Sequence, residues 1–143
     1  MSLVKVIVPE SEIQKIVEVL DQNLKSPFVI WMKGEMGSGK TTLVRHFLRS
    51  KGLSEDTPVV SPTYTIMNEY QIGKQWYAHL DLYRAEDTFS LDEIGVKDTR
   101  EYSGIFVEWP ETPPEDETLK PTHIIQIAYA EDGNARSYDL SEA

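Results

Sequence analysis

Phe28-Val29-Ile30-Trp31-Met32, then Gly34-Glu35-Met36-Gly37-Ser38-Gly39-Lys40-Thr41, then Thr42-Leu43-Val44-Arg45-His46-Phe47-Leu48 follow one another with only Lys33 intervening, and their reading decides the fold. The first run is apolar at every position and of strand length. A strand apolar on both faces suits the middle of a parallel sheet, where helices cover it above and below. The middle run is rich in glycine. In the third, Leu43, Val44, Phe47 and Leu48 recur at helical spacing and form one face. Arg45, Arg49 and Lys51 collect towards the end, and Gly52 stands where a helix C-terminal cap is expected. Strand, glycine loop and helix in that order predict an α/β domain.

The middle run fits G-x-x-x-x-G-K-S/T, and each part has a physical task. Glycines let successive backbone N–H groups turn inward to form an anion nest. The helix that follows aims its positive end at the same place. Lys40 reaches the β- and γ-phosphates of a nucleotide, and the Thr41 hydroxyl is placed to coordinate Mg²⁺. By composition alone such a match arises in roughly one chain in two hundred of this length. The buried strand before it and the amphipathic helix after it are what make it informative. The residues expected to bind an ATP-like nucleotide are therefore Gly34, Glu35, Met36, Gly37, Ser38, Gly39, Lys40 and Thr41, with Thr42 beside them.

Upstream, Val4 to Val8 reads as a first strand stopped by Pro9. Ser11 and Gln14 have capping-box spacing. Ile13, Ile16, Val17, Leu20 and Leu24 place a helix from Glu12 to about Leu24, broken by Ser26-Pro27. Downstream, Val59-Val60 reads as a short strand or lead-in. Thr63 to Tyr70 and Gln75 to Tyr83 form an antiparallel hairpin about Ile72-Gly73-Lys74. Leu91 to Tyr102 is helical or mixed, and Ile105-Phe106-Val107 is a second buried strand ended by Glu108. Pro110 to Pro121 is a loop. His123 to Tyr129 and Ala135 to Leu140 flank Asp132-Gly133, a hairpin turn. The expected architecture is a P-loop NTPase-like single domain over residues 1–143, its mixed parallel and antiparallel sheet flanked by helices.

A phosphate loop needs an acidic partner for Mg²⁺ and for water, and that acid sits at the end of a buried strand. Glu108 and Asp81 are the candidates. For each the competing reading is an ordinary surface acid, and it weighs more for Asp81, because a hairpin strand has a solvated face. Asp92-Glu93-Ile94-Gly95 fits D-x-x-G, but no buried strand precedes it and no N-K-x-D guanine-reading motif occurs. His79 lies beside Asp81, where a lone histidine is more often structural than catalytic. No H-x-x-x-H pair suggests zinc. Tyr70, Trp76, Tyr77 and Tyr83 are read as cross-strand packing rather than as a base-stacking platform.

The 143 residues carry a formal net charge of −10, which disfavours direct gripping of nucleic acid. The absence of cysteine excludes disulfides and thiolate metal sites. No apolar run approaches a membrane span and no secretory signal opens the chain, so the expected location is cytoplasmic.

The phosphate loop, Ser61-Pro62-Thr63-Tyr64-Thr65, His79-Leu80-Asp81-Leu82-Tyr83-Arg84 and Glu108-Trp109-Pro110 together resemble the TsaE (YjeE) family, bacterial ATPases of tRNA threonylcarbamoyladenosine synthesis. The resemblance runs over roughly residues 4–140. It implies that Lys40 binds phosphates and that Thr41 and Glu108 hold Mg²⁺. It implies further that Thr63 lies in a loop sensing the γ-phosphate, that Asp81 sits near the metal or attacking water, and that Trp109 is next to the nucleotide. Lys40, Asp81 and Glu108 are then the catalytic set, and ATP and Mg²⁺ the ligands. The implied partners are TsaD and TsaB, which modify the adenosine beside the tRNA anticodon; tRNA is met only through that complex. Two other readings of the same loop are a small-molecule kinase and a nucleotide-gated adaptor that does not need hydrolysis.

Overall fold

The buried run at residues 28–32 does become the centre of a sheet. In a computed structural model, which describes residues 2–35, 39–62, 67–81, 101–108, 119–131 and 133–143, strand β2 (Phe28–Lys33) is buried at every position but the last. The remaining strands are β1 (Ser2–Pro9), β3 (Met67–Ile72), β4 (Gln75–Asp81), β5 (Gly104–Glu108), β6 (His123–Tyr129) and β7 (Ala135–Glu142). The helices are α1 (Gln14–Asn23) and α2 (Lys40–Ser50). Among the described residues the sheet has seven strands in the order β1-β7-β6-β2-β5-β4-β3. Strand β2 pairs in parallel with both β5 and β6, and β4 pairs in parallel with β5. The β1/β7, β6/β7 and β3/β4 pairs are antiparallel. The sheet is mixed, as expected.

Both helices bury their apolar stripes in the larger of two cores. Ile16, Val17 and Leu20 of α1 and Leu43, Val44, Phe47 and Leu48 of α2 meet Phe28, Ile30, Met32 and Phe106 there. Edge-on aromatic contacts knit the centre, with Phe28–Phe106 at 5.6 Å and Phe47–Phe106 at 5.4 Å between ring centroids. Tyr70 and Tyr77 are cross-strand partners in this core, so the packing reading of those aromatics holds. A smaller core on the opposite face joins Val29, Trp31, Leu80, Ile105, Val107 and Leu119, and the Trp31 indole donates to the Leu119 carbonyl at 2.9 Å.

The aromatic centre leaves no room at Gly104, the register partner of Phe28 on β5. A Cβ there would stand 2.1 Å from Phe28 Cζ. Gly104→Ala is expected to lose about 1–3 kcal/mol of stability by overpacking, measurable as a lower urea midpoint. An alanine variant as stable as the parent would contradict this packing.

Two local expectations have different outcomes. Helix α2 ends in a Schellman motif: Gly52, at φ +113°, donates to Arg49 O at 3.1 Å, and Leu53 donates to Leu48 O at 3.0 Å while its side chain is buried. The capping box of α1 does not form. A 3₁₀ turn at Glu10–Glu12 leads into the helix and the N-cap position is Ile13, in helical conformation with no side-chain cap. Ile13 is 2% exposed, and burying it takes precedence over an extended Ser11 cap. The helix is accordingly shorter than the periodicity indicates.

Val59-Val60 is not a strand; Val59 is buried and Val60 exposed. The β3–β4 hairpin turns at Gly73-Lys74, between the paired Ile72 and Gln75. The β6–β7 hairpin closes with Gly133 at φ +74°. The segments expected at 91–100 and 110–118, and Asp132 of the second turn, lie outside the described residues. No helix among the described residues is long and apolar enough to cross a membrane.

Candidate functional site

Parallel strands that run side by side bring their C-terminal ends to one edge, and in open α/β sheets ligands bind along that edge. Here β2, β5 and β4 end together: Met32 is level with Glu108, and Glu108 is level with Asp81. The glycine loop leaves the end of β2, so the loop and the two acids share one edge of the sheet.

The loop ends at Gly39, the N-cap of α2, with φ 104° and ψ 22°. Only glycine takes that left-handed conformation without strain. Its carbonyl already accepts the Leu43 N–H at 2.9 Å. Helix α2 has no side-chain cap and no acid in its first turn. Its leading N–H groups are therefore left for an external acceptor, and the helix dipole favours an anion there. The Lys40 ammonium folds back over the loop and donates to Gly34 O at 2.8 Å. Thr41 and Thr42 are half-buried in the first turn, and Arg45 Nη2 lies 3.5 Å from Thr42 Oγ1. Glu35 is exposed.

Glu108 ends β5 and Asp81 ends β4, with 9% and 7% of their surfaces exposed. The solvated hairpin face weighed for Asp81 does not exist. Strand β5 lies against β4 on the side away from β3, so β4 is an interior strand and buried from Tyr77 onwards. Two adjacent carboxylates in a largely dry setting repel one another, which a cation or directed donors must offset. Hard oxygen donors of this kind suit Mg²⁺, which takes one or two carboxylates and completes its shell with phosphate oxygens and water. Among the described residues no group of three or more His, Cys, Asp or Glu forms a metal cage. The donor chemistry of these residues suits a Mg²⁺–nucleotide pair.

His79 is on the same face of β4 as Asp81, two residues earlier, and is 0% exposed. Its Nε2 stands 3.7 Å from Glu108 Oε1. The sequence hint was the His79-x-Asp81 spacing, which puts both on one face of a strand but does not name a neighbour. His46 is half-buried on α2, and His123 Nδ1 is 2.9 Å from Thr122 Oγ1 at the start of β6.

Of the residues expected to form the site, Gly34, Glu35, Gly39, Lys40, Thr41, Thr42, Asp81 and Glu108 stand on or next to the C-terminal edge of β2, β5 and β4. Met36, Gly37, Ser38, Thr63 and Trp109 lie outside the described residues.

A family model described as TsaE, threonylcarbamoyl adenosine biosynthesis protein TsaE, matches residues 7–138. A Nostoc sp. protein named tRNA threonylcarbamoyladenosine biosynthesis protein TsaE is 38% identical over 125 residues, covering 83% of this chain and 74% of its own length. The Aquifex aeolicus protein of that name is 36% identical over 139 residues and 95% of both chains. The crystal structure of Bacillus subtilus YdiB has a TM-score of 0.68 at 24% identity, covering 100% of this chain and 88% of that one, a likeness of fold.

Proposed function

The chain belongs to the TsaE family, whose members are named for tRNA threonylcarbamoyladenosine biosynthesis, and from that premise we propose that it is a Mg²⁺-dependent ATPase that acts with TsaD and TsaB in modifying the adenosine beside the tRNA anticodon. The observation that carries the catalytic part is the meeting of two buried carboxylates, level with each other, and an uncapped helix start on one edge of the sheet.

The residues then divide the work. The backbone of Gly34 to Gly39, with Glu35, Met36, Gly37 and Ser38, wraps the phosphates. Lys40 exchanges its contact with Gly34 O for the β- and γ-phosphates, placing a cation where charge develops as the terminal phosphoryl departs. Thr41 and Glu108 hold Mg²⁺, with Thr42 close by. Bound there, the metal neutralises charge shared between the β- and γ-phosphates. Asp81 sits near the metal or the attacking water, a place that rests on the family resemblance and on its register with Glu108. Thr63 senses the γ-phosphate and Trp109 lies next to the nucleotide, roles that rest on the family resemblance.

No glutamine dedicated to the water is evident, which favours slow hydrolysis by the chain alone and acceleration by partners. The net charge of −10 favours an arrangement in which a partner protein holds the tRNA. The work is cytoplasmic, and residues 1–143 act as one domain. The test is hydrolysis of ATP and of GTP by the purified chain, with and without TsaD and TsaB. ATP-selective stimulation by the pair is the expected result. ATP binding without any stimulation would remove partner-gated hydrolysis as the mechanism.

A further inference from the structure

His79 has no task in that division of work, yet its setting is unusual for a residue that only fills space. The imidazole is fully buried, and among the described residues neither Nδ1 nor Nε2 has a hydrogen-bond partner. Buried polar atoms are nearly always satisfied, and an apolar ring would occupy the same volume without the penalty of desolvating two nitrogens. Its register neighbours are Phe106 on β5, which is apolar, and Asn68 on β3, whose amide nitrogen donates to Val60 O at 3.2 Å. The acceptor the ring does face is Glu108 Oε1, at 3.7 Å from Nε2. That is beyond a hydrogen bond but within reach of a modest rotation of the glutamate side chain.

We propose that His79 is a positioning residue for Glu108: it donates Nε2–H to Oε1 from beneath the site and leaves Oε2 turned towards the metal. Carboxylates that bind metals are themselves held by hydrogen bonds, and loss of such a support costs metal affinity. Glu108 is the last residue of β5, and a donor two register positions deeper, on the same face of the sheet, supplies a restraint on its side chain. This inference rests on the assignment of Glu108 to Mg²⁺.

The experiment measures the affinity of a fluorescent ATP analogue in Mg²⁺ and in EDTA, and takes the ratio as the metal's contribution. His79→Phe is expected to lower that ratio about tenfold or more while leaving the affinity in EDTA unchanged. Two amides separate positioning from packing. The side-chain nitrogen of glutamine reaches the place of Nε2, whereas that of asparagine reaches only the place of Nδ1. His79→Gln is therefore expected to restore the ratio and His79→Asn is not. In a Glu108→Ala background, His79→Phe should have no further effect on the ratio, because the two residues act as one unit. An unchanged ratio in folded His79→Phe, or equal behaviour of the two amides, including failure of both to fold, assigns His79 a packing role and overturns the proposal. If Glu108→Ala alone leaves the ratio intact, the metal assignment itself fails. If Glu108→Ala lowers it and the His79 variants do not, only the positioning role fails.

Discussion

Lys40→Ala is expected to abolish support of tRNA threonylcarbamoylation and to lower ATP hydrolysis in the presence of TsaD and TsaB by at least about a hundredfold, in line with losing one preorganised group at developing charge. The ammonium has no structural duty that would confound the result. It is on the first residue of α2, its hydrogen bond among the described residues goes to the backbone carbonyl of Gly34, and it is only half-buried. Alanine is a good helix former at that position, so α2 and the core beneath it should persist. Thermal unfolding of the variant close to that of the parent would establish that the loss is chemical. Normal modification by Lys40→Ala would sink the proposal that the glycine loop is a working phosphate site.

Glu108→Gln separates binding from hydrolysis. The substitution keeps the volume at a position that is 9% exposed, removes the charge, and relieves the repulsion with Asp81 in the neighbouring strand. Stability should hold or rise slightly for that reason. Hydrolysis should fall by about two to three orders of magnitude, as for other losses of a group that organises phosphoryl transfer, while ATP still binds through the loop and Lys40. The decisive readout is the number of modified tRNAs per protein assembly. A single round followed by arrest supports a hydrolysis-driven cycle. Continued multiple turnover would favour the adaptor reading, in which ATP only orders a binding surface. No feature of the structure favours the kinase reading over either.

The contrast between what could and could not be read in the sequence is clearest at particular residues. Strand β2, the glycine loop and α2 were legible because each depends on neighbours only a few positions away: a run of apolar residues, glycine at Gly39 for a left-handed turn, and apolar side chains returning every turn of helix. The Schellman cap at Gly52 was legible for the same reason. Where a long-range contact competed with a local signal, the local signal lost. The Ser11 capping box gave way to burial of Ile13, and the hairpin pattern of β3 and β4 did not reveal that β5 would cover the far side of β4.

The sequence by itself determined the class of fold and the family, since these are carried by short motifs whose meaning is local. Tertiary structure decided how the two candidate acids stand to one another and what surrounds them. Alternation along a strand says which side chains share a face; it does not say which strand lies next or which residues are level. The order β2-β5-β4 and the register of Asp81 with Glu108 follow from packing between segments far apart in the chain. That register makes Asp81, a candidate acid with a competing surface reading, half of a buried acidic pair, and it brings His79, by sequence a lone histidine, near the carboxylate of Glu108.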